Sequence, residues 1–179
     1  MVTHEIVKLH IDPIWTDEHT KLDYVHEPFN DPASLDIWRK QGYTGPVTGF
    51  MCDMKKPQPE YTKEIIKLFE NKGWKDIGAC FYRMDTGAVL PVHRDLYVKY
   101  INLFNLQGRE NTIHRAIIFL EDWQSGHYAE YCNESFVNWR AGDYFVWKND
   151  VPHAAANIGT IVDPRYTLQI TATLLDNKG

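Results

Sequence analysis

Five residues in the second half of this 179-residue chain have side chains suited to joint chemistry: His93 and Asp95 in a His-Arg-Asp step, then His153, Arg165 and Thr167. Two neutral imidazoles and a carboxylate can hold a divalent transition metal and leave neighbouring coordination positions open. Arginine offers a planar fork of N–H donors that grips a carboxylate through two parallel hydrogen bonds. A metal with open positions and a carboxylate anchor further along the chain would hold an organic acid by both ends. No single piece is specific. With eight His and fourteen Asp in the chain, chance supplies about half of one His-x-Asp step. A second one, His10-Ile11-Asp12, stands near the start, and His114 and His127 compete with His153 as third donor. Cys52, Cys80 and Cys132 are odd in number and lack CxxC spacing, which argues against a disulfide framework or a zinc ribbon.

The elements that must position these residues change character along the chain. Glu5 to Ile11 alternates like a strand. Asp31-Pro32 reads as the N-cap and first position of a helix to Lys40, stopped by Gly42. Gly49 to Met54 suits a strand. Pro59 to Lys72 is an amphipathic helix with Ile65, Ile66, Leu68 and Phe69 on its apolar face and Gly73 as its stop. From Asp76 the pattern becomes short strands divided by turn residues. They run over Gly78 to Met84, Ala88 to Val92, Ile113 to Leu120, His127 to Cys132, Phe136 to Trp139, Tyr144 to Trp147, His153 to Asn157 and Arg165 to Leu174. Eight such strands at close spacing predict a sandwich or jelly roll, with the two helices covering the outer face of its larger sheet. No linker divides the chain, so one domain is expected. Residues 1–75 would supply N-terminal strands and supporting helices, and residues 76–174 the jelly-roll core.

The last strand is informative in itself. Arg165, Thr167, Gln169, Thr171 and Thr173 share one face; Tyr166, Leu168, Ile170, Ala172 and Leu174 share the other. A polar face of hydroxyls, one amide and one arginine, without Lys or Glu, suits a wet pocket inside the barrel better than bulk solvent.

Taken in order, His93-Arg94-Asp95, His153 and Arg165-Tyr166-Thr167 resemble the Fe(II)/2-oxoglutarate-dependent dioxygenases over roughly residues 76 to 174. The resemblance implies a mainly β fold, a double-stranded β-helix (cupin-like jelly roll) with two supporting N-terminal helices. It implies Fe(II) held by His93, Asp95 and His153, with 2-oxoglutarate and O2 as cosubstrates. It places Arg165 and Thr167, with Tyr82 beside them, at the distal carboxylate of 2-oxoglutarate. The order also sets His10 and Asp12 aside, because only nine residues precede them and helices follow. His114 is then a structural histidine in an apolar strand, and His127 a loop residue, solvated or at the substrate mouth. Arg83 and Arg115 are read as structural ion-pair partners, leaving Arg165 as the pocket's cation.

Several branches separate at single positions. Nucleobase-repair members carry a second arginine six residues beyond the first, where this chain has Thr171; collagen-type prolyl hydroxylases generally use lysine in place of Arg165. The stretch from Trp139 to Asp143, with Tyr144 to Trp147, His153 to Asn157 and Arg165 to Leu168, is similar to the aspartyl/asparaginyl hydroxylase-like group, whose members often lack the carboxylate ligand that Asp95 supplies. Small phage or bacterial oxygenases of unassigned substrate are the other branch. Two other classes stay open: a cupin-like metalloprotein that does not use 2-oxoglutarate, and a noncatalytic jelly-roll binding module.

Composition bounds the partners. A net charge of −5, a pI near 5.9 and no basic stripe argue against nucleic acid. No apolar stretch approaches bilayer length, and the N-terminus carries no signal-peptide pattern, so a soluble intracellular protein is expected. The expected substrate is a small molecule or a protein or peptide side chain, with contacts from Leu96 to Asn111 and the N-terminal third. Oligomeric state is not encoded in any motif.

Overall fold

A computed structural model describes residues 6–160 and 163–174. It contains two antiparallel sheets formed by β1 (Val7–His10), β2 (Val25–His26), β3 (Phe50–Cys52), β4 (Lys75–Met84), β5 (Ala88–His93), β6 (Ile113–Phe119), β7 (His127–Tyr131), β8 (Glu134–Phe136), β9 (Asp143–Lys148), β10 (His153–Asn157) and β11 (Arg165–Thr173). The larger sheet has the order β1-β9-β6-β11-β4-β3-β2, and the smaller one β5-β10-β7-β8. From β4 onward the chain passes back and forth between the sheets. That is the double-stranded β-helix expected from the strand spacing, and all eight expected core strands are present as β4 to β11.

The alternation along β11 sets the two sides of the larger sheet. Leu168, Ile170 and Ala172 are completely buried, and with Tyr166 they face a core containing Phe81 and Ile118. Helix α2 (Tyr61–Glu70) packs on this outer face through Tyr61, Ile65 and Phe69, which fall on one stripe at a spacing of four. Burying Ile65 and Phe69 contributes roughly 1.5–3 kcal/mol each, which fixes the helix over the sheet. A second apolar cluster, built from Phe119, Tyr131, Phe145 and Trp147 with Trp139 stacked on Phe119 at 3.9 Å, fills one end of the space between the sheets. The opposite face of β11 turns inward.

The structure departs from the expected elements in three places. Helix α1 (Pro32–Lys40) begins as expected, with the Asp31 carboxylate accepting from the Ser34 N–H at 3.1 Å, yet it buries no residue, and Ile37 is 59% exposed. The chain on both sides of it is tied elsewhere. Asn30 donates to the Arg94 carbonyl, and Val47 and Thr48 pair with Val89 at the edge of the smaller sheet. Of the two expected helices, α2 alone packs on the larger sheet. Next, β8 starts at Glu134 rather than Phe136. Cys132 and Asn133 both adopt positive φ (54° and 68°), the geometry of a two-residue type I′ hairpin, which begins the return strand earlier. Last, the stretch after Asp95 holds a helix, α3 (Val98–Phe104), flanked by Tyr97 and Asn105 in left-handed conformations. Neither flank is a glycine, so no punctuation marks this helix in the sequence. Among the described residues, no helix is long and apolar enough to cross a membrane.

Candidate metal centre

His93 closes β5 and His153 opens β10, and the two are register partners across the smaller sheet. Asp95 follows two residues after His93, so three donors come from one end of that sheet. Their ligand atoms lie within 4.8 Å of one another. His93 Nε2 stands 3.7 Å from Asp95 Oδ1, His153 Nε2 stands 3.8 Å from Asp95 Oδ2, and the imidazole centroids are 4.3 Å apart. Each ring is oriented by the same device. Nδ1–H of His93 donates to the Pro91 carbonyl at 2.8 Å, and Nδ1–H of His153 to the Val151 carbonyl at 3.0 Å. A carbonyl only accepts, so Nδ1 carries the proton and the Nε2 lone pair is left to bind a metal.

The electrostatics agree with that role. Burial pushes the His153 imidazole down to about 4, with Asp95 opposing and His93 reinforcing, so it is neutral near pH 7. Burial alone would raise the Asp95 carboxyl, but Arg115 and the two imidazoles overcome it and hold it well below the usual carboxylate range. Three converging donors, two neutral and one anionic, with fixed tautomers and no thiolate, fit a divalent iron-type ion. His10 and Asp12 lie apart from this cluster: His10 Nδ1 is 2.9 Å from Asp143 Oδ1.

The cluster opens into a cavity of about 720 Å³ lined along one wall by Arg165, Thr167, Gln169 and Thr171, the inward face of β11. The polar face thus lies in the pocket, as the alternation suggested. Thr173 lies beyond it, its buried hydroxyl donating to Asp76 Oδ2 at 2.8 Å. Arg165 is 6% exposed, and Nη1 donates to the Tyr128 carbonyl at 2.7 Å and, more weakly, to that of Ala156 at 3.4 Å. Its Nε–H is buried without a partner, and among the described residues no carboxylate forms an ion pair with it. The guanidinium also lies over the Trp139 ring. Burial without a counter-ion lowers its basicity. An uncompensated buried cation is costly, and a ligand carboxylate would relieve it.

Thr167 and Tyr82 are register partners on β11 and β4, and both line the same end of the cavity. The Tyr82 hydroxyl accepts the Gly49 N–H at 2.6 Å, so its own hydrogen is left to donate. This contact demands glycine at position 49: a Cβ there would meet the Arg83 carbonyl oxygen at 2.2 Å.

Three placements correct the sequence reading. Arg165 is not the cavity's lone cation. Arg115 on β6 also lines it, with Nη2 3.2 Å from Asp95 Oδ2 and Nη1 donating to Gln169 Oε1. Arg115 is indeed an ion-pair partner, but its partner is the candidate metal ligand. It sits directly across from Thr171. His127 is no solvated loop residue. It opens β7, is 4% exposed and stacks near Trp139, and burial with the Arg165 charge pushes it down to about 4. Glu27 carried no sequence signal; it lines the cavity next to β2, at the edge of the larger sheet. By contrast, His114 and Arg83 are structural as read. His114 is bonded to the Thr112 carbonyl beside Trp74, and Arg83 pairs with Asp85 and lies over Phe50.

No protein-family profile matches the sequence, and no curated protein does. Solved structures do. A Pseudomonas putida prolyl-4-hydroxylase superposes with a TM-score of 0.57 at 15% identity, covering 96% of this chain and 94% of that one. The non-heme α-ketoglutarate-dependent carbocyclase SnoK, from nogalamycin biosynthesis, superposes with a TM-score of 0.53 at 13% identity, covering 93% and 79%. At such identities the likeness establishes the architecture alone: the chain shares the jelly-roll fold of these two structures.

Proposed function

We propose that the protein is an Fe(II)- and 2-oxoglutarate-dependent oxygenase that hydroxylates a small molecule or a protein side chain. We further propose that residues 1–179 act as one domain in doing so. The observation that carries the reading is Arg165, a buried guanidinium with no carboxylate partner among the described residues, in the same cavity as the convergent cluster of His93, Asp95 and His153. A dicarboxylate that chelates at one end and carries charge at the other fits both.

In this reading His93, Asp95 and His153 would hold the iron at the wall of the cavity. When bound, iron, O2 and 2-oxoglutarate supply oxidation of a substrate coupled to decarboxylation of 2-oxoglutarate to succinate. The protein's own part is geometric. Arg165 binds the C5 carboxylate, with Thr167 and Tyr82 as hydroxyl donors to the same group. Ala154 and Ala155, which follow His153 and line the cavity, keep the approach open because their side chains are small. Leu90 and Ile117 provide apolar wall that limits water.

The test is succinate formation with Fe(II), O2 and 2-oxoglutarate, alongside calorimetric binding of each component. Stoichiometric Fe(II) binding and 2-oxoglutarate consumption are expected. Binding of Fe(II) without binding or consumption of 2-oxoglutarate would make a cupin-like metalloprotein the better account. Binding of neither would leave a noncatalytic module.

A further inference from the structure

The part of the cavity that the proposed function leaves unassigned carries two partly buried charges of opposite sign, Arg115 and Glu27, besides Asp53 and the exposed Lys55 and Lys99. Arg115 enters from β6, is 14% exposed in its side chain, and is held by Asp95 and Gln169. Its Nε–H is buried without a hydrogen-bond partner. The Tyr97 ring lies against it, with the guanidinium carbon 5.0 Å from the ring centroid. Tyr97 is 9% exposed and lines the cavity; its hydroxyl feels both Arg115 and Asp95 but makes an aligned hydrogen bond to neither. Two donors are therefore unsatisfied at one place.

Glu27, just beyond β2 at the far edge of the larger sheet, lines the same cavity. Its backbone is clamped between strands, the N–H donating to the Gly49 carbonyl at 3.0 Å and the carbonyl accepting from the Thr48 hydroxyl. The side chain is half-buried in the cavity wall and outside the metal-ligand cluster. Burial raises its carboxyl, and among the opposing charges Arg115 is the strongest, ahead of Lys99 on the exposed turn of α3. Yet among the described residues its carboxylate forms no ion pair. Arg115 and Glu27 thus line one cavity, each acting on the other electrostatically but without an ion-pair contact.

The charges of the loaded site sharpen this. A dication on the triad, the Asp95 carboxylate, a 2-oxoglutarate dianion and the Arg165 guanidinium cancel formally. Of the other charges lining the cavity, Lys55 and Lys99 are exposed to solvent and Asp53 accepts from the Lys55 N–H, so Arg115 and Glu27 remain as the partly buried pair of opposite sign. A substrate with one net charge would leave one of them uncompensated in a partly dry cavity, which is costly. A substrate with both charges closes both.

Resting on the oxygenase reading, we infer that the primary substrate is a free α-amino acid or a close zwitterionic relative. Its carboxylate is held by Arg115 and Tyr97, and its ammonium by Glu27. Phe29, Met51, Leu96 and Leu103 also line the cavity, among polar residues such as Asn30 and Asn102, and supply apolar surface for the side chain. A residue within a peptide chain, its α-amino and α-carboxyl groups both in amide bonds, would offer neither charge there.

The test uses the full chain with Fe(II), O2 and 2-oxoglutarate. Free L-α-amino acids are compared with their N-acetyl and carboxamide derivatives for stimulation of succinate formation. Binding of the same compounds is measured by calorimetry on protein loaded with Zn(II) and 2-oxoglutarate, which does not turn over. At least one free amino acid should bind and stimulate, and each derivative should be weaker by an order of magnitude or more. In Glu27→Gln, preference for the amino acid over its des-amino analogue should collapse. In Arg115→Lys, preference for the acid over its carboxamide should shrink, a selectivity that general damage to the fold would not change. If 2-oxoglutarate binds and no free amino acid does, or if the doubly blocked derivatives act equally well, the inference fails while the oxygenase reading stands. If 2-oxoglutarate itself does not bind, both fail.

Discussion

Replacing Arg165 by Met tests the cosubstrate assignment with two independent signs. Truncating one partner of a buried charge pair costs about 2–5 kcal/mol, and about 1.4 kcal/mol is tenfold in affinity. Chelation at the metal end and the Thr167 and Tyr82 hydroxyls are untouched, so the loss should fall toward the lower end. An increase in the 2-oxoglutarate Kd of about 30- to 300-fold follows. Stability without 2-oxoglutarate should behave differently. The variant removes donors from the Tyr128 and Ala156 carbonyls, at about 1–3 kcal/mol for each buried acceptor left unmade. It also removes a buried cation that lacks a counter-ion, returning several kcal/mol of desolvation. These oppose each other, so the chelated protein should unfold at nearly the parent's urea midpoint. Calorimetry with 2-oxoglutarate on Zn(II)-loaded protein, paired with urea melts, reads both quantities. A Kd within threefold of the parent's in a folded variant would refute the assignment, whatever the melts showed.

Further outcomes are expected from the same structure. Asp95→Ala should abolish tight Fe(II) binding, measured by calorimetry. In chelator it should also cost about 3–5 kcal/mol by stranding the Arg115 guanidinium, a loss that adding Arg115→Met should largely recover. Gly49→Ala places a Cβ 2.2 Å from the Arg83 carbonyl oxygen, so it should lose about 1–3 kcal/mol in urea melts and weaken 2-oxoglutarate binding by shifting Tyr82. A variant with parent-like values on both counts would remove the argument for that glycine. His127 is held at about 4 in the fold against 6.5 when free. As pH falls from about 6.5 toward 4 the unfolded chain takes up a proton that the native state refuses, so stability is lost across that window, by at most about 3 kcal/mol. His127→Phe keeps the ring stack beside Trp139 and removes the titration, so its stability relative to the parent should grow on acidification. A constant difference between pH 7 and pH 5 would contradict this.

The cluster of His93, Asp95 and His153 was legible because both of its halves sit where local rules speak. Pro91 and the turn residues after it end β5 at His93, and three alanines after His153 make a short, recognisable β10. Arg165 was legible from a period of two along β11. The correction at β8 came from Cys132 and Asn133, both at positive φ in a hairpin where sequence offered no Asn-Gly or Asp-Gly. Helix α3 was hidden for the same reason, since Tyr97 and Asn105 do the work of glycines. His127 was misread because Ser125-Gly126 suggests a loop, and the burial that moves it comes from Trp139 and Arg165, distant in sequence.

Arg115 shows why a strand pattern alone could not reveal the whole site. Along β6 it is one arginine in the run Ile113–Phe119, six of whose seven residues are buried, and such a residue is most simply read as a structural ion pair. Its meaning comes from register. Pairing with β11 sets it opposite Thr171, on the inward face, and the side chain reaches Asp95 across the cavity. Thr171 had looked like a missing cation, yet the charge is present, supplied by the neighbouring strand. Glu27 follows the same logic from the edge of the sheet, its backbone being fixed by the Gly49 carbonyl and the Thr48 hydroxyl rather than by a motif. Residues that hold the metal must bring several atoms to one point and so are tied to strand ends, where turns leave marks. Those that select a substrate need only face a shared space, and several strand pairings can bring them there from sequence positions that share no spacing.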